Sequence, residues 1–216
     1  MLNLGLPAGG EFALIAVFTA VVYWIIRDFG AAAQAGFGIG GRVMQMVFLP
    51  AMAIASAAAP IAGQNFGAKN GARVRETFRV AAFASCAVMA MLTLFCQWQG
   101  DALIRFFTQD VEVVRFGAQF LHIISWNFVA IGLAFTCSSL FQALGNTWPS
   151  LISTGVRLLM FALPAIWLSR QPGFTVVQVW YLSVASSTLQ GLLSLWMLRG
   201  ELKKRLQFSE TAKLFP

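Results

Sequence analysis

Long apolar stretches alternate with short polar ones along the chain, and the longest, residues 31–62, carries a single charge, Arg42. Five further stretches surround it, at residues 4–26, 80–96, 116–144, 151–168 and 174–198. Most reach the ~20 residues needed to cross the hydrocarbon core of a bilayer, the third and fifth in chain order only just. Inside lipid every backbone N–H and C=O needs a partner within the protein, so each stretch must be a helix. The runs are too long for barrel strands and do not alternate apolar with polar at every second position. The pattern predicts an all-α polytopic membrane protein, with six transmembrane helices in one unit over residues 1–200 and a basic tail over 201–216.

Composition points the same way. Hydrophobic residues make up 58% of the chain and charged ones 11%, with a mean hydropathy of +0.73, more apolar surface than a soluble core of this size hides from water. The net charge of +7 is distributed unevenly. If the first span starts from the cytoplasm, Lys69, Arg73, Arg75, Arg79, Arg199, Lys203, Lys204, Arg205 and Lys213 lie on the inner side, against Arg27, Arg105, Arg115 and Arg170 outside. This bias predicts an inner (plasma) membrane protein with both termini cytoplasmic. No basic patch is interleaved with base-stacking aromatics on a soluble element, so no nucleic-acid partner is expected.

Tryptophan fits the interfaces. Trp24, Trp98, Trp167 and Trp180 fall near outer span ends and Trp148 and Trp196 near inner ones, with Trp126 alone placed deep. Residues 1–11 lack a basic n-region and a small-residue cleavage site, so they do not read as a removable signal peptide. Cys86, Cys96 and Cys137 stand apart, without CxxC or His pairing, which favours buried thiols over a disulfide or a metal site. No cofactor is expected.

Four short motifs are more specific. Gly63-Gln64-Asn65-Phe66-Gly67-Ala68 ends the second span, where the two glycines can close a helix in left-handed geometry while Gln64 and Asn65 bond freed carbonyls. Gly5-Leu6-Pro7 opens the first span, Phe48-Leu49-Pro50-Ala51 breaks the second, and Gln142-Ala143-Leu144-Gly145-Asn146-Thr147 closes the fourth. In order and spacing the chain resembles the second half of a multidrug and toxic compound extrusion (MATE) transporter over nearly its whole length. The closing turn differs, since the family often has Arg-Gly-x-x-Asp-Thr there. The resemblance implies twelve spans in two pseudosymmetric six-helix lobes. This chain would supply the C-terminal lobe, with the N-terminal six-helix lobe, or a second copy, as its partner.

Polar seams run along three spans. In the second, Gln34, Gly38, Arg42 and Gln45 share one narrow arc at 100° per residue, and Ser56 continues it. In the sixth, Ser183, Ser187, Gln190 and Ser194 form one stripe. In the fourth, His122, Ser125, Gly132, Thr136 and Ser139 share a face, with Asn127 and Ser138 opposite. Seams of small and hydroxyl residues also serve plain helix packing, as the Gly36-x-x-x-Gly40 pair does. Taken jointly, and with Arg42 in one of them, they favour a hydrated interior, since polar groups facing lipid are costly. Pro50 removes a backbone hydrogen bond in mid-span and is a candidate hinge or a fixed bend.

Glu11 is the most informative side chain. An isolated carboxylate inside the first span must be paired, hydrated or protonated, and one that faces a cavity can couple ion entry to substrate exit. An interfacial carboxylate that snorkels or pairs is the plainer alternative. The resemblance supports coupling, because many members carry a cation-linked glutamate on this helix two turns after the proline. This chain has Ile15 at that place and Glu11 one turn earlier. An acid that completes a sodium site on the fourth span of some members has no match here, so H+ is preferred to Na+ as coupling ion. His122 is a candidate relay or a packing residue. Arg157 reads as structural, snorkelling inward, and residues 101–115 as an amphipathic outer-surface connection.

The leading reading is one half of a secondary efflux transporter that exchanges amphipathic, cationic organic compounds for H+ or Na+. Glu11 would couple the ion, while Gln34, Arg42, Gln45, His122, Ser125, Thr136, Ser187 and Gln190 line the cavity. A lipid-linked oligosaccharide or polysaccharide exporter of the same superfamily would need a more basic cavity to hold a phosphate. A non-transporting scaffold subunit would tolerate apolar replacement of Glu11 and the seams. No HExxH, GxSxG or intramembrane aspartate pair points to an enzyme.

Overall fold

The structure, a computed structural model, describes residues 2–206; the rest of the expected tail, with Lys213, lies outside the described residues. The chain is all-α. Its helices are α1 (Leu2–Ile26), α2 (Ala31–Gly67), α3 (Gly71–Arg105), α4 (Val111–Ile124), α5 (Phe128–Ala143), α6 (Trp148–Leu168) and α7 (Val176–Arg205). A 3-10 turn, Ser125–Asn127, joins α4 to α5, so the two form one pass and the bundle has six. Five passes are long and apolar enough to cross a membrane. The sixth, α7, is 30 residues long. Its apolar character is diluted by Ser183, Ser187, Gln190 and Ser194, all four of which are buried against protein.

The helices overrun the apolar stretches. α3 takes in Arg73 and Arg79 at one end and Asp101 and Arg105 at the other, so the expected surface connection shrinks to residues 106–110. The reason lies in the periodicity: Asp101 and Arg105 are exposed while Ile104 is fully buried, which makes this stretch the amphipathic last turn of α3. Asp110 then caps α4, its carboxylate accepting from the backbone N–H groups of Glu112 and Val113 at 2.9 and 3.2 Å. α7 continues through Arg205, so the boundary expected at residue 200 falls inside a helix.

The turn chemistry differs from expectation at one site. α2 passes straight through Gly63 to Gly67, and the left-handed position is taken by Lys69, φ 56°. The turn is closed instead by backbone bonds from Lys69 N to Phe66 O (3.0 Å) and Asn70 N to Asn65 O (2.8 Å), after which the Asn70 side chain caps α3. α2 also runs unbroken through Pro50, an exposed residue, while the non-helical backbone lies at Gln99 in α3. The second turn behaves as a glycine turn should: Gly145 adopts φ 75° and Asn146 N bonds Phe141 O at 2.9 Å.

Two groups of helices emerge from the packing. α2 lies against α3, α4 and α5, whereas α1 pairs with α6 and barely touches α2. α7 bridges the groups by packing on α4, α5 and α6. Glycine permits the closest approaches: a Cβ at Gly36 would sit 2.9 Å from Gly117 N, and one at Gly40 would strike the Phe120 ring, so this pair packs α2 onto α4. Trp180, expected at an interface, is 2% exposed and stacks on Phe37 at 5.6 Å. Trp126 points outward from the 3-10 turn and is 66% exposed.

Candidate functional site

Because α1 and α6 stand away from α2, a cavity of ≈ 370 Å³ opens between the two groups, floored by α5 and α7. Its walls are mostly aromatic and aliphatic, among them Phe18, Phe37, Phe48, Phe135 and Phe161. That volume and lining fall in the ordinary range for small-molecule sites. The charged side chains lining it are Arg42 from α2 and Arg157 from α6, with Gln45, Asn127, Tyr23 and Ser183 among the polar ones. A larger groove of ≈ 580 Å³ runs between α2 and α3, but its charges, Arg73 and Glu76, pair with each other at 3.1 Å. Asn65 and Thr77 there bond backbone carbonyls of their own helices, so that groove holds little unspent polar chemistry.

Arg157 differs from the expected structural residue. Its guanidinium lies 4.3 Å above the Phe18 ring, its Nε is buried with no hydrogen-bond partner, and no carboxylate approaches it within 4 Å among the described residues. Asn127 Oδ1 and Trp180 Nε1, on the same cavity, are likewise buried and unpartnered. Buried polar atoms are nearly always satisfied, so three such atoms on residues of one lining are unusual.

Glu11 lies just beyond one end of the cavity, one turn before Ile15, which does line it. Ser138 of α5 donates to Glu11 Oε2 at 3.2 Å and Thr154 of α6 to Oε1 at 3.4 Å. Ser150 donates to Ser138 Oγ at 2.9 Å, and Gln190 of α7 donates to Thr154 Oγ1 at 3.0 Å. One carboxylate thus ties together four helices through hydroxyls, with no basic side chain within 4 Å among the described residues. Thr154 precedes Arg157 by three residues on α6, so the network and the cavity share a helix face.

Of the other expected lining residues, Arg42 and Gln45 reach the cavity and the rest do not. Gln34 is half-buried away from it, Thr136 is buried and donates to Gly132 O in its own helix, and Ser187 is buried without a partner for its hydroxyl. His122 and Ser125 face α3: Gln97 Nε2 donates to His122 O at 2.7 Å and contacts Ser125 Oγ at 2.9 Å, while His122 Nδ1 lies 3.4 Å from Gln97 Oε1. The face carrying His122 and Ser125 turns toward α3, so the opposite side of the same span, with Asn127 and Ser138, is the one that meets the cavity and Glu11. Gln97 and Thr93 escaped the sequence reading altogether. They serve carbonyls at the irregular turn, for which an isolated α3 pattern carries no signal.

The closing turn is held without the family's charged residues. Arg205 donates to Leu144 O at 2.7 Å and pairs with Glu201 at 2.6 Å, and Asn146 Nδ2 donates to the same Glu201 oxygen at 2.9 Å.

A family model, MatE, matches residues 7–168, three quarters of the chain. The chain belongs to the MatE family. Among curated relatives it is similar to a probable multidrug resistance protein, YpnP, of Bacillus subtilis, 28% identical over 83% of this chain and 39% of that one. Among solved structures it is similar to the Vibrio cholerae MATE transporter VcmN in its bent form (TM-score 0.86, 20% identity, 94% of this chain and 46% of that one). It is also similar to a MOP superfamily transporter from Pyrococcus furiosus (TM-score 0.88, 18% identity, the same coverages). The structural matches establish the fold. The chain spans under half the length of these relatives, and its fold presents the expected six-helix membrane lobe.

Proposed function

We propose that this MatE chain forms one lobe of a two-lobe, ion-coupled efflux transporter for amphipathic organic compounds, with Glu11 as the coupling group and H+ as the preferred ion. The arrangement around Glu11 carries this reading. As a carboxylate it accepts from Ser138 and Thr154; once protonated it must itself donate, so at least one hydroxyl has to turn its proton elsewhere. The change spreads to Ser150 and Gln190, and hence to α5, α6 and α7, next to the cavity wall. Such a group, hydroxyl-bonded and without a counter-charge, suits a load-and-release cycle better than a fixed structural pair. Sodium would use the same oxygens, and a transport assay driven by either gradient separates the two ions.

The expected preference for cationic substrates finds no support on this wall, whose charges are Arg42 and Arg157. A cation would depend on acids supplied by the facing lobe. Orientation is proposed from the basic residues, with the turn at residues 67–71 cytoplasmic. Cysteine labelling from outside is expected at position 109 and not at position 70, and strong outside labelling at 70 reverses the topology.

Alternating access moves one lobe against another around a shared site, and six passes form only one side of it. Purified chain in liposomes with an imposed pH or sodium gradient is therefore expected to export no dye until a complementary six-helix lobe is added. Export by the isolated monomer would sink the half-transporter reading, and export only as a dimer would show that two copies complete the site.

A further inference from the structure

We infer that the cavity between α1–α6 and α2–α5 recognises an amphiphilic organic anion, its carboxylate or phosphate held by Arg157 and Arg42 and its apolar body by the phenylalanine walls. The inference rests on the reading of this cavity as one side of the substrate path.

The arginines of this lobe divide into groups. Arg27, Arg73, Arg115 and Arg205 each have a carboxylate within 4 Å, and Arg75, Arg79, Arg105, Arg170 and Arg199 are exposed at the ends of the bundle. Arg42 and Arg157 alone lie in mid-span, line a cavity, and have no acid near them among the described residues. An unpaired guanidinium with a buried Nε, as at Arg157, is costly, and an incoming anion relieves that cost.

Geometry prepares Arg157 for the task. The guanidinium carbon sits 4.3 Å over the Phe18 ring, which itself meets Phe161 at 4.5 Å, and this fixes the group beside the cavity. The in-plane N–H groups of a guanidinium are the ones that take a carboxylate or phosphate as a fork. The buried Nε–H has no other acceptor, and the Trp180 indole N–H offers a further unpaired donor on the same cavity. The surrounding rings suit an apolar or aromatic body. Among the described residues no carboxylate side chain joins the lining, so this wall repels a cation where it attracts an anion.

The test is equilibrium dialysis of three matched probes, pyrenebutyrate, pyrenebutanol and pyrenebutylamine, against the chain in phosphatidylcholine nanodiscs, with empty nanodiscs subtracting lipid partition. No gradient is applied, so the outcome is readable even if Glu11 couples nothing. Pyrenebutyrate is expected to bind at least about tenfold tighter than pyrenebutylamine, the worth of a good charge-assisted bond. Arg157→Gln is expected to erase that preference, Arg157→Lys to keep its sign at reduced affinity, and Arg42→Gln, at an exposed position, to weaken it. Competition by lysophosphatidate identifies the natural source as a lipid headgroup, whereas its failure to displace pyrenebutyrate identifies a free organic acid. Equal or tighter binding of the amine, or a preference unchanged in both Arg157→Gln and Arg42→Gln, overturns the inference. Should Arg157→Gln not fold, Arg157→Lys and Arg42→Gln decide in the same way.

Discussion

Two polar networks of similar size cross this lobe at opposite ends, and they are built on different logic. Near the turn at residues 144–147, Glu11 is held by the hydroxyls of Ser138 and Thr154, with Ser150 and Gln190 behind them. Toward the other end, Gln97 and Thr93 of α3 bond the carbonyls of His122 and Ser125 beside the 3-10 turn. The second network fastens: its main acceptors are backbone carbonyls at an irregular turn, its donors are amide and hydroxyl groups, and its titratable ring, His122, meets the Gln97 amide oxygen at 3.4 Å and Asp101 at 3.7 Å with no hydroxyl relay behind it. The first has a proton to gain or lose, and each of its hydroxyls can either donate or accept. A buried polar cluster in a membrane helix bundle is thus not functional merely by being polar. What separates the two is whether a titrating group sits among partners that can reverse their bonds.

The sharpest way to break that comparison is to freeze the titrating group. Glu11→Gln keeps the size and an acceptor oxygen while removing the charge cycle. In a reconstituted two-lobe assembly this variant is expected to lose gradient-driven export down to the level of empty liposomes. Its purification yield and detergent melting temperature should stay near those of the parent chain. Export at the parent rate would remove Glu11 from the mechanism and make both networks structural.

How far the sequence showed this arrangement varies by residue. Six passes and their order were legible because lipid forces long helices, and Glu11 stood out because a lone carboxylate in a span is conspicuous. α7 was legible too, although its serine and glutamine stripe makes it the least apolar pass. The partners of Glu11 were not. Ser138 lies on the side of the fourth span opposite to His122, away from the polar seam, and only the tertiary packing shows that this side meets Glu11 while His122 turns to α3. The place of the Arg157 guanidinium was hidden for a different reason: a single arginine seven residues into a span has a ready snorkelling explanation, and only the tertiary approach of Phe18 shows where the group goes.

A milder test keeps Glu11 and alters what it talks to. Thr154 donates to Glu11 and accepts from Gln190, so Thr154→Val, of nearly the same shape, cuts the carboxylate off from α7 while leaving Ser138 in place. Export in the same assembly is expected to fall several-fold, and not to vanish, since α5 still senses Glu11 through Ser138. A loss as complete as that of Glu11→Gln would make Thr154 the sole route of coupling. No change would show that α7 takes no part.

The fastening network should respond in stability and not in transport. Gln97 supplies one amide to His122 O and Ser125 Oγ, and the half-buried site gives these atoms little access to other donors. Gln97→Leu fills similar space but takes the amide donor away from the His122 carbonyl beside the 3-10 turn. An unsatisfied buried acceptor costs about 1–3 kcal/mol, and the Ser125 hydroxyl, which also reaches His122 O at 3.2 Å, holds the expected loss to the lower part of that range. The check is a detergent melting curve read beside the export rate per folded molecule. The melting temperature should drop by a few degrees while the rate stays that of the parent. A lowered rate at unchanged stability would mean that the α3–α4 contact moves during transport, and the contrast between a coupling end and a fastening end would fail.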